Sequence, residues 1–483
     1  MNVFDYFFEN SKSLNKNFIL GNKEQISFKD LYNQSLALSI HLQNYHGEGK
    51  NIILIAQNSV FFVVSYLAIL KSGNVCVPLD YSIEQTNLDF ILNQTESDLV
   101  FSSGNLQSKL NFPEGIRILD EKEVSVIINN GSNLIIKDII SEDTIAEIVF
   151  TSGSTGIPKG VMLSHKNIIA NTSSIISYLK LTSQDIICAV LPFHYCYGLS
   201  LLHTHLRAGG SMVINNTFMF IGSVINDLKE FGCTGFAGVP SHFQILLKRT
   251  EIFKKSDALS LRYLTQAGGK LHNQFIQEIC EAIPDKEFYV MYGQTEATAR
   301  LSYLDPSKVL QKLGSIGKGI PGVELRIVNE LGEEVDNGIE GELIARGNNI
   351  MIGYYKDEEG TNCALKDNWL YTGDYAKKDN EGYIFIVARK KEILKVRGKR
   401  VSPKEIEEVI LSIPEVIDCT IKGYEDIIMG EGIEATIVIR DIKEEIAVEK
   451  KVILECKNKL AAYKIPTKYL FKDQMTLKSS GKK

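Results

Sequence analysis

Short β-branched segments alternate with segments of helical periodicity over the first two thirds of this 483-residue chain. Residues 51–56 (NIILIA) and 74–78 (NVCVP) have the pattern of buried strands, and a helix-like segment at 61–71 separates them. The same rhythm returns between 146–150 and 287–292, where the intervening helices have about 10–15 residues. This alternation predicts an α/β protein with largely parallel sheets, whose ligands gather at the carboxyl ends of the strands.

The character of the sequence changes twice beyond this region. From about Gly314, short strands, glycines and turn signals dominate, which predicts a β-rich subdomain over 314–390. Beyond Arg389 there follow a basic stretch, an acidic helix candidate, two strands and a final helix at about 443–462. We therefore predict a domain boundary near Lys391, with a C-terminal domain of about 90 residues.

Composition and charge exclude several classes of protein. A hydrophobic content of 44% and a charged content of 23% are those of an ordinary globular protein, not of a disordered, collagen-like or disulfide-stapled chain. The net charge of −6 argues against a nucleic-acid partner. The longest apolar stretches, such as 60–70, are shorter than the roughly 20 residues of a membrane span.

The N-terminus and the cysteines bear on the compartment. Residues 1–5 (MNVFD) contain no basic segment leading into an apolar run, so we expect no secretory signal. The eight cysteines are scattered and include no C-x-x-C pair, which favours buried thiols over disulfides or zinc ligands. We therefore expect a cytoplasmic protein.

The segment TSGSTGIPKG (151–160) is the strongest chemical motif, and it directly follows the strand-like EIVF. Glycines let backbone N–H groups turn toward an anion, hydroxyl groups add donors, and Lys159 supplies a point charge. The alternative is a flexible Gly/Ser linker, which the preceding strand and the embedded lysine argue against. The P-loop pattern G-x-x-x-x-G-K-[ST] is not matched. We predict a phosphate-binding loop of a different type.

Several weaker motifs are ambiguous when taken singly. YGQTE (292–296) and YTGD (371–374) each place a carboxylate at a turn, where it is either a ligand-binding group or simply solvated. His194, in PFHYCYG, is either a base, a pocket wall or a structural residue. His203 and His205 lie in a helical pattern, so their spacing of two does not suit a shared metal.

The segment GKGIPG (317–322) formally matches the dinucleotide fingerprint G-x-G-x-x-G. That reading requires a helix after the glycines, whereas a strand pattern, VELRIV, follows here. We therefore expect no nicotinamide or flavin site.

Six motifs, taken in their order and spacing, resemble the signature of adenylate-forming enzymes, and the resemblance runs from about residue 10 to the last residue. The motifs are TSGSTGIPKGV, PFHYCYG, YGQTE, YTGD, RKKEILKVRGKRVSPKEIE and a terminal SGK. That superfamily includes acyl-CoA synthetases, peptide-synthetase adenylation domains and luciferases. The resemblance implies a large N-terminal domain of stacked α/β sheets with a β-rich subdomain (1–390), and a small mobile α+β C-terminal lid domain (391–483). It also implies ATP-dependent activation of a carboxylic acid to an acyl-adenylate, with release of pyrophosphate, followed by transfer to a pantetheine thiol.

The resemblance also implies roles for individual residues. Tyr292 would stack on adenine, Thr295 would contact the α-phosphate, Glu296 would bind Mg²⁺, and Asp374 would take the ribose hydroxyls with help from Arg389. Lys482, in the terminal SGK, would be the catalytic lysine of adenylation, although Thr476, Leu477 and Lys478 depart from the usual family residues before it. The remaining residues implied to bind the nucleotide are Thr151, Ser152, Gly153, Ser154, Thr155, Gly156, Lys159, Gly268, Gly269 and Gly293.

The C-terminal motifs concern the second half-reaction. Lys391 matches the family hinge, and Gly398 matches the place where the pantetheine arm passes close to the backbone. The stretch 389–404 holds eight basic residues against Glu392, which is either an attraction for the phosphates of CoA or for an acidic carrier protein, or a solvated loop. The expected co-substrates are Mg²⁺, ATP, and either CoA or the phosphopantetheine of a carrier protein.

The identity of the acid is the least constrained feature. Adenylation domains for α-amino acids usually carry an aspartate where this chain has His194, and acyl- and aryl-CoA ligases often place histidine there. The expected pocket walls are His194, Tyr195, Phe236, Ala237, Gly238, Val239, Ala267 and Gly268, and the apolar part of this set suits an uncharged acyl chain or ring. The alternatives are a stand-alone enzyme that loads an acyl or aminoacyl group onto a carrier protein, a luciferase-like oxidase, and a catalytically silent nucleotide-binding module.

Overall fold

The computed structural model describes residues 1–106, 109–130, 140–151, 157–250, 260–390, 394–396, 399–426 and 430–472. The elements before residue 131 are α1 (Val3–Phe8), β1 (Asn17–Leu20), β2 (Ile26–Ser27), α2 (Phe28–Tyr45), β3 (Asn51–Ile55), α3 (Val60–Lys71), β4 (Val75–Leu79), α4 (Gln85–Thr95), β5 (Leu99–Ser102), β6 (Arg117–Leu119) and α5 (Glu121–Asn130).

The central part of the chain continues the alternation of strands and helices. Its elements are β7 (Ile145–Thr151), β8 (Lys159–Ser164), α6 (His165–Leu179), β9 (Ile186–Ala189), α7 (Cys196–Ala208), β10 (Ser211–Ile214), α8 (Ile221–Glu230), β11 (Gly235–Gly238), α9 (Pro240–Arg249), β12 (Tyr263–Gln266), α10 (Asn273–Ala282), β13 (Glu287–Tyr292) and β14 (Ser302–Leu304).

The last third is richer in strands. Its elements are β15 (Ser315–Gly319), β16 (Val323–Val328), β17 (Gly341–Gly347), β18 (Gly353–Tyr354), α11 (Glu358–Ala364), β19 (Leu365–Lys366), β20 (Trp369–Lys378), β21 (Ile384–Arg389), β22 (Leu394–Val396), β23 (Lys399–Val401), α12 (Pro403–Leu411), β24 (Val416–Asp426), β25 (Gly430–Ile439), α13 (Glu445–Lys459) and β26 (Lys468–Lys472).

Two sheets form the body of the molecule. A seven-stranded sheet has the order β18-β8-β7-β4-β3-β5-β6, and a 14-stranded sheet runs β16-β17-β20-β21-β15-β14-β13-β12-β11-β9-β10-β1-β2, with β19 beside β20. Strands β9 to β13 pair in parallel, whereas β13 to β17 and β20 to β21 pair antiparallel. The predicted parallel α/β region and β-rich region are therefore both present, and they share one sheet.

Helix α3 explains how the two sheets are held together. Every residue from Phe62 to Lys71 is buried, as expected for a helix that is apolar on all sides. The largest cluster of buried apolar side chains joins this helix to α1, α2 and α7 and to strands of both sheets. Burial at about 25 cal/mol per Å² of apolar area makes this layer the main stabilising feature of the body.

A second cluster of buried apolar side chains lies wholly within 394–460, contributed by β22 to β25, α12 and α13. The three-stranded sheet of β24, β25 and β26 forms one layer of this core, and α12 and α13 pack on it. The C-terminal region therefore has its own core, in agreement with the expected small α+β domain. Among the described helices, none is long and apolar enough to cross a bilayer.

Candidate active site

The carboxyl ends of the parallel strands bring most of the predicted motifs to one edge of the large sheet. His194 follows β9, Val239 follows β11, Ala267 follows β12 and Gly293 follows β13. In parallel sheets this edge collects the loops that bind ligands. Thr151 at the end of β7 and Lys159 at the start of β8 belong to the predicted phosphate motif, and they come from the seven-stranded sheet.

Lys159 lies opposite Thr151 in the β7–β8 hairpin. Its Nζ atom is 2.6 Å from Oδ2 of Asp357 and 4.9 Å from the ring centre of Tyr354. The hydrogen bond from Lys159 lowers the pKa of the Asp357 carboxyl below its ordinary value. The rest of the predicted loop lies outside the described residues, namely Ser152, Gly153, Ser154, Thr155 and Gly156.

Glu296 is in a short 3₁₀ turn after β13. Its Oε1 atom accepts a hydrogen bond of 2.8 Å from the hydroxyl of Tyr354. Burial and the neighbouring carboxylate raise the pKa of Tyr354, so the phenol remains a donor. Tyr354 therefore connects Glu296 to Lys159, although 58 and 195 residues of sequence separate the members of these pairs (354 − 296 and 354 − 159).

The donor set at Glu296 fits a magnesium ion. Within the described ranges, its second carboxylate oxygen has no protein partner, and no group of three His, Cys, Asp or Glu side chains is arranged to hold a metal. Mg²⁺ usually takes one or two carboxylates and completes its shell with water and substrate phosphates. One half-buried carboxylate, linked to Lys159 through Tyr354, is therefore compatible with such a site.

Tyr292, Asp374 and Arg389 form a second group. The Tyr292 hydroxyl donates a 2.6 Å hydrogen bond to Oδ2 of Asp374, and Nε of Arg389 is 3.5 Å from Oδ1. Asp374 and Arg389 are register partners in β20 and β21. Burial, and then the Asp374 carboxylate, raise the pKa of Tyr292 well above its ordinary value.

The turn after β13 is held by close backbone contacts. A Cβ atom at Gly293 would lie 1.9 Å from the carbonyl oxygen of Ala299, so glycine is required for this approach. Thr295 is buried, and its hydroxyl donates to Sγ of Cys196 at 3.5 Å. This contact joins the YGQTE turn to the start of α7.

His194 is buried beside a carboxylate that the sequence motifs did not indicate. Its Nε2 atom is 3.4 Å from Oδ2 of Asp80, which follows β4, and its ring centre is 4.3 Å from that of Tyr195. Asp80 also accepts hydrogen bonds from Ser82. The contact places a titratable pair beside the first turn of α7.

The predicted pocket residues on β11 and β12 lie on two faces of the sheet. Ala237 is the register partner of Thr265, whose side chain contacts Tyr197 of α7. Phe236 lies on the other face, where its ring packs against Phe243. Strand alternation explains this division, because successive side chains point to opposite faces.

The glycines around this pocket bring its loops together. Gly238 accepts a 3.3 Å hydrogen bond from the Ala267 N–H group, and a Cβ atom there would lie 3.0 Å from the Phe243 ring. Gly268 has φ of +83°, which favours glycine. The carbonyl oxygen of Gly269 accepts a 2.8 Å hydrogen bond from Gln266, and Val239 caps α9.

Other predicted residues either lie elsewhere or cannot be placed. Lys391, Gly398 and Lys482 fall outside the described residues. His203 and His205 are buried in α7, where they contact Tyr66 at 2.8 Å and Tyr263 at 3.0 Å, so they do not share a metal. The GKGIPG segment is followed by β16, as expected for a strand and not a dinucleotide-binding helix.

Tyr354, Asp357, Asp80 and Cys196 were missed as site residues. Cys196 lies in the PFHYCYG motif, where the sequence indicated His194 and Tyr195, and the other three lie outside the motifs. For Tyr354, the available sequence signal is the pair of tyrosines that follows Gly353. Asp357 is the N-cap of α11, where its carboxylate accepts from the Gly360 N–H group, so helix-start chemistry alone accounts for an aspartate there.

Comparisons with known proteins agree with this arrangement. The AMP-binding enzyme family matches residues 8–355, and the AMP-binding enzyme C-terminal domain matches residues 405–482. YngI of Bacillus subtilis (strain 168) is 30% identical over 478 residues, with 90% of this chain and 86% of the relative covered. The oxalate–CoA ligase of Arabidopsis thaliana is 29% identical, with 90% and 87% covered.

Solved structures share the fold along the whole chain. The anthranilate CoA ligase AuaEII, in complex with anthranoyl-AMP, superposes with a TM-score of 0.92 at 23% identity, covering 100% of this chain and 95% of that one. ATP-bound MatB from Rhodopseudomonas palustris superposes with a TM-score of 0.88 at 25% identity, covering 100% and 97%. The chain therefore belongs to the AMP-binding enzyme family and is an AMP-forming ligase that activates a carboxylic acid as its acyl-adenylate.

Proposed function

We propose that this ligase binds Mg·ATP across the two groups described above and passes the activated acyl group to free CoA. The observation that carries the proposal is the chain of contacts beside the strand edge in which the Lys159 ammonium lies over the Tyr354 ring and the Tyr354 hydroxyl donates to Glu296. It puts a cation and a carboxylate within reach of one polyphosphate. The pair of Tyr292 and Asp374 offers a ring for adenine and a carboxylate for the ribose hydroxyls.

Positioning and charge neutralisation carry most of the first step. The substrate carboxylate attacks the α-phosphorus of ATP, and pyrophosphate leaves with the bonding electrons. Such nucleotidyl transfer needs fixed cations and donors more than covalent help. We assign Lys159 to the leaving phosphates, Thr295 to the α-phosphate, and Lys482 to the charge that develops on the oxygens in the transition state.

Glu296 is assigned to the metal. Magnesium, when bound, would neutralise phosphate charge and favour departure of pyrophosphate. The Tyr354 hydroxyl orients the Glu296 carboxylate by occupying one of its oxygens. Within this assignment, Tyr354 is a positioning residue that contacts neither nucleotide nor acid.

Free CoA as the acceptor is supported by the relatives and by local charge. The curated relatives include several proteins named as CoA ligases. Arg389 and Lys390 begin a basic stretch whose charges would attract the phosphates of CoA. A carrier protein presents the same pantetheine arm, so the acceptor must be tested with both.

Pyrophosphate release from Mg·ATP, measured over a panel of fatty, aromatic, hydroxy, dicarboxylic and amino acids with and without CoA, tests the proposal. We expect release with at least one class of acid, multiple turnovers only when CoA is present, and no oxygen consumption. Glu296→Gln should reduce release by at least about 100-fold, because a metal carboxylate is lost. The exposed Glu281→Gln is the matched control and should leave the rate unchanged.

Two results would contradict the proposal. If pyrophosphate release stays at one turnover with CoA but reaches many turnovers with a phosphopantetheinylated carrier protein, the acceptor is the carrier protein and not CoA. Release that is unaffected by Glu296→Gln would remove this carboxylate from the metal site.

A further inference from the structure

Arg300 is a buried cation for which the described structure supplies no counter-charge. The residue is 3% exposed, and across the described ranges it forms no ion pair with a carboxylate. Its Nε atom is 3.3 Å from Sδ of Met291, one terminal nitrogen is 3.5 Å from the Ala299 carbonyl oxygen, and its charge lies near the Tyr178 hydroxyl. All of these contacts are neutral.

Two other arginines of this chain show what is missing at Arg300. Arg207 stacks on Tyr6 at 4.2 Å and pairs with Glu9 at 2.6 Å, and Arg262 stacks on Tyr263 and pairs with Asp185 at 3.0 Å. Arg300 stacks on a tyrosine in the same way but lacks the carboxylate. It is also more buried than either, so its need for a counter-ion is greater.

The guanidinium group of arginine keeps its positive charge in proteins. A desolvated charge without a partner is costly, and stacking on an aromatic ring recovers only part of that cost. A buried guanidinium of this kind is suited to receive an anion that is not part of the protein.

The position of Arg300 relates it to the acyl pocket. Its guanidinium carbon lies 4.0 Å from the ring centre of Tyr197. The Tyr197 hydroxyl hydrogen bonds to Thr265 on β12, at 2.9 Å from both the carbonyl and the side-chain oxygen. Tyr197 thus links Arg300 to β12, the strand that leads into the predicted pocket residue Ala267.

The backbone of Arg300 also belongs to the active-site turn. A Cβ atom at Gly293 would lie 2.9 Å from the Arg300 Cα atom. The neighbour of Tyr197, Cys196, accepts the hydrogen bond from Thr295. Arg300 therefore adjoins the acid-binding region from the α7 side.

We propose that Arg300 receives a second anionic group of the substrate, so that the enzyme prefers dicarboxylic acids. One carboxylate would be adenylated, and the other would pair with the Arg300 guanidinium beside Tyr197. The inference rests on the proposed function and replaces the expectation of an uncharged acyl group. It assigns a specificity residue without adding any step to the chemistry.

Matched acids of equal length test this specificity. Pyrophosphate release is measured with butanoate against butanedioate, hexanoate against hexanedioate, and benzoate against benzene-1,2-dicarboxylate. We expect at least one dicarboxylate to exceed its partner by about 30-fold or more in kcat/KM, and Arg300→Met to abolish that preference. This is the size of effect seen when one member of a buried charge pair is removed.

Two variants separate specificity from folding. Arg207→Met removes a different stacked arginine, which lies in α7 over Tyr6, and should leave the ratio between dicarboxylate and monocarboxylate unchanged. Arg300→Lys keeps the charge and should retain part of the preference, which makes the test readable even if Arg300→Met does not fold. Thermal unfolding of each variant accompanies the kinetics.

The outcomes distinguish this inference from the proposed function. Efficient turnover of monocarboxylates with no gain from a second carboxylate would overturn the inference and leave the ligase activity intact. If Arg300→Met lowers kcat/KM equally for both acids of a pair, the inference is also overturned, because such a loss is expected of a residue that only supports the structure. Failure of every acid, together with failure to bind ATP in calorimetry, would overturn the proposed function itself.

Discussion

At the residue scale, Lys159 is already neutralised by a carboxylate before any nucleotide arrives. The 2.6 Å contact with Asp357 places a negative charge where the assignment expects a phosphate. Two anions compete for this ammonium group, because a lysine is a compact point charge. The strength of ATP binding therefore depends on a residue outside the glycine-rich motif.

Replacing Asp357 by asparagine should tighten ATP binding. The amide still accepts from the Gly360 N–H group and so preserves the cap of α11, but it no longer holds Lys159 by charge. We expect the dissociation constant to fall by about three- to tenfold, which corresponds to about 1 kcal/mol for an ion pair that is about one-third exposed. Calorimetric titration with a non-hydrolysable ATP analogue measures it.

Asp379→Asn is the control, since Asp379 pairs with Lys312 at 2.8 Å away from the predicted nucleotide groups. Its affinity for the analogue should equal that of the parent enzyme. Weaker binding by Asp357→Asn would mean that Asp357 orients Lys159 productively and does not compete with the phosphate.

At this scale, sequence motifs predicted residues inside short local patterns better than the contact partners that lie outside those patterns. Lys159, Glu296, Tyr292 and Asp374 could be proposed from the sequence because their chemistry lies within short local patterns. Asp80 was not found, since nothing in its local pattern relates it to His194 more than a hundred residues later. Such partners depend on how loops from different strands meet.

At the element scale, a buried polar network links β4, β7, α3 and α7. The Tyr66 hydroxyl donates a 2.9 Å hydrogen bond to Glu147 and contacts Nε2 of His203 at 2.8 Å, and Cys76 lies near the same carboxyl. Burial raises the pKa of Glu147 to about 7 and lowers that of His203 to about 3. The sheet and two helices are thus joined by groups that titrate in the core.

Within this network, Glu147 contributes a loss of stability as the pH rises, whereas His203, whose pKa is lowered by burial, contributes a gain up to its ordinary pKa of about 6.5. Between the unfolded pKa of about 4.5 and the folded pKa of about 7, the folded state binds more protons at Glu147, so the free energy of unfolding falls with pH in that window. From pH 5 to pH 8 the loss from this group is about 2–3 kcal/mol. Glu147→Gln keeps an acceptor for Tyr66 and should remove this part of the pH dependence.

Urea unfolding of the two proteins at pH 5 and pH 8 provides the measurement. The difference in unfolding free energy between Glu147→Gln and the parent should move in favour of the variant at pH 8. The exposed Glu84→Gln should show no such change. A constant difference at both pH values would show that Glu147 is ionised throughout.

Two glycine-to-alanine substitutions are expected to change the stability of the protein in opposite directions. Gly293→Ala forces a methyl group against the Ala299 carbonyl oxygen and should destabilise the protein by about 2 kcal/mol or more. Gly222→Ala, in α8 with open space around it, should stabilise the protein by about 0.5–1 kcal/mol. Thermal unfolding compares them, and equal effects would contradict the close-approach argument.

The elements themselves were largely predictable. Long periodic segments such as α3 and β13 were found within one or two residues, because their burial pattern is local. Short elements such as β1, which pairs with β10 almost two hundred residues later, were not found. A four-residue strand owes its existence to that distant partner.

At the scale of the whole molecule, an ion pair connects the body to the C-terminal core. Lys270, before α10, lies 2.6 Å from Glu408 of α12, and both side chains are about one-third exposed. The Ser402 hydroxyl also donates to the Val387 carbonyl oxygen at 2.7 Å. If the C-terminal domain alternates between orientations, as the family resemblance implies, this pair stabilises one of them.

Charge reversal tests that contribution. Lys270→Glu or Glu408→Lys alone should slow the half-reaction that uses this orientation by about two- to fivefold, because a pair of this exposure contributes at most about 1 kcal/mol. The double reversal should restore the rate. Pyrophosphate release and thioester formation from supplied acyl-adenylate are measured separately, and additive losses in the double variant would exclude a direct role for the pair.

The sequence predicted α/β layers and a β-rich region, but not that one sheet contains both. The join lies between β14 and β15 and between β15 and β21, where antiparallel pairing extends the parallel region. Local periodicity cannot specify such pairing, since each strand could satisfy its hydrogen bonds with other neighbours.

The proposed nucleotide site is divided between two sheets, and this division has a mechanical consequence. Tyr292 and Asp374 belong to the 14-stranded sheet, whereas Lys159 belongs to the seven-stranded one. A nucleotide held at its adenosine end by one sheet and at its phosphate end by the other would cross-link the two sheets non-covalently. Pulling the two sheets apart would then require the ligand to leave first, so the force needed to open the body would rise with ATP concentration.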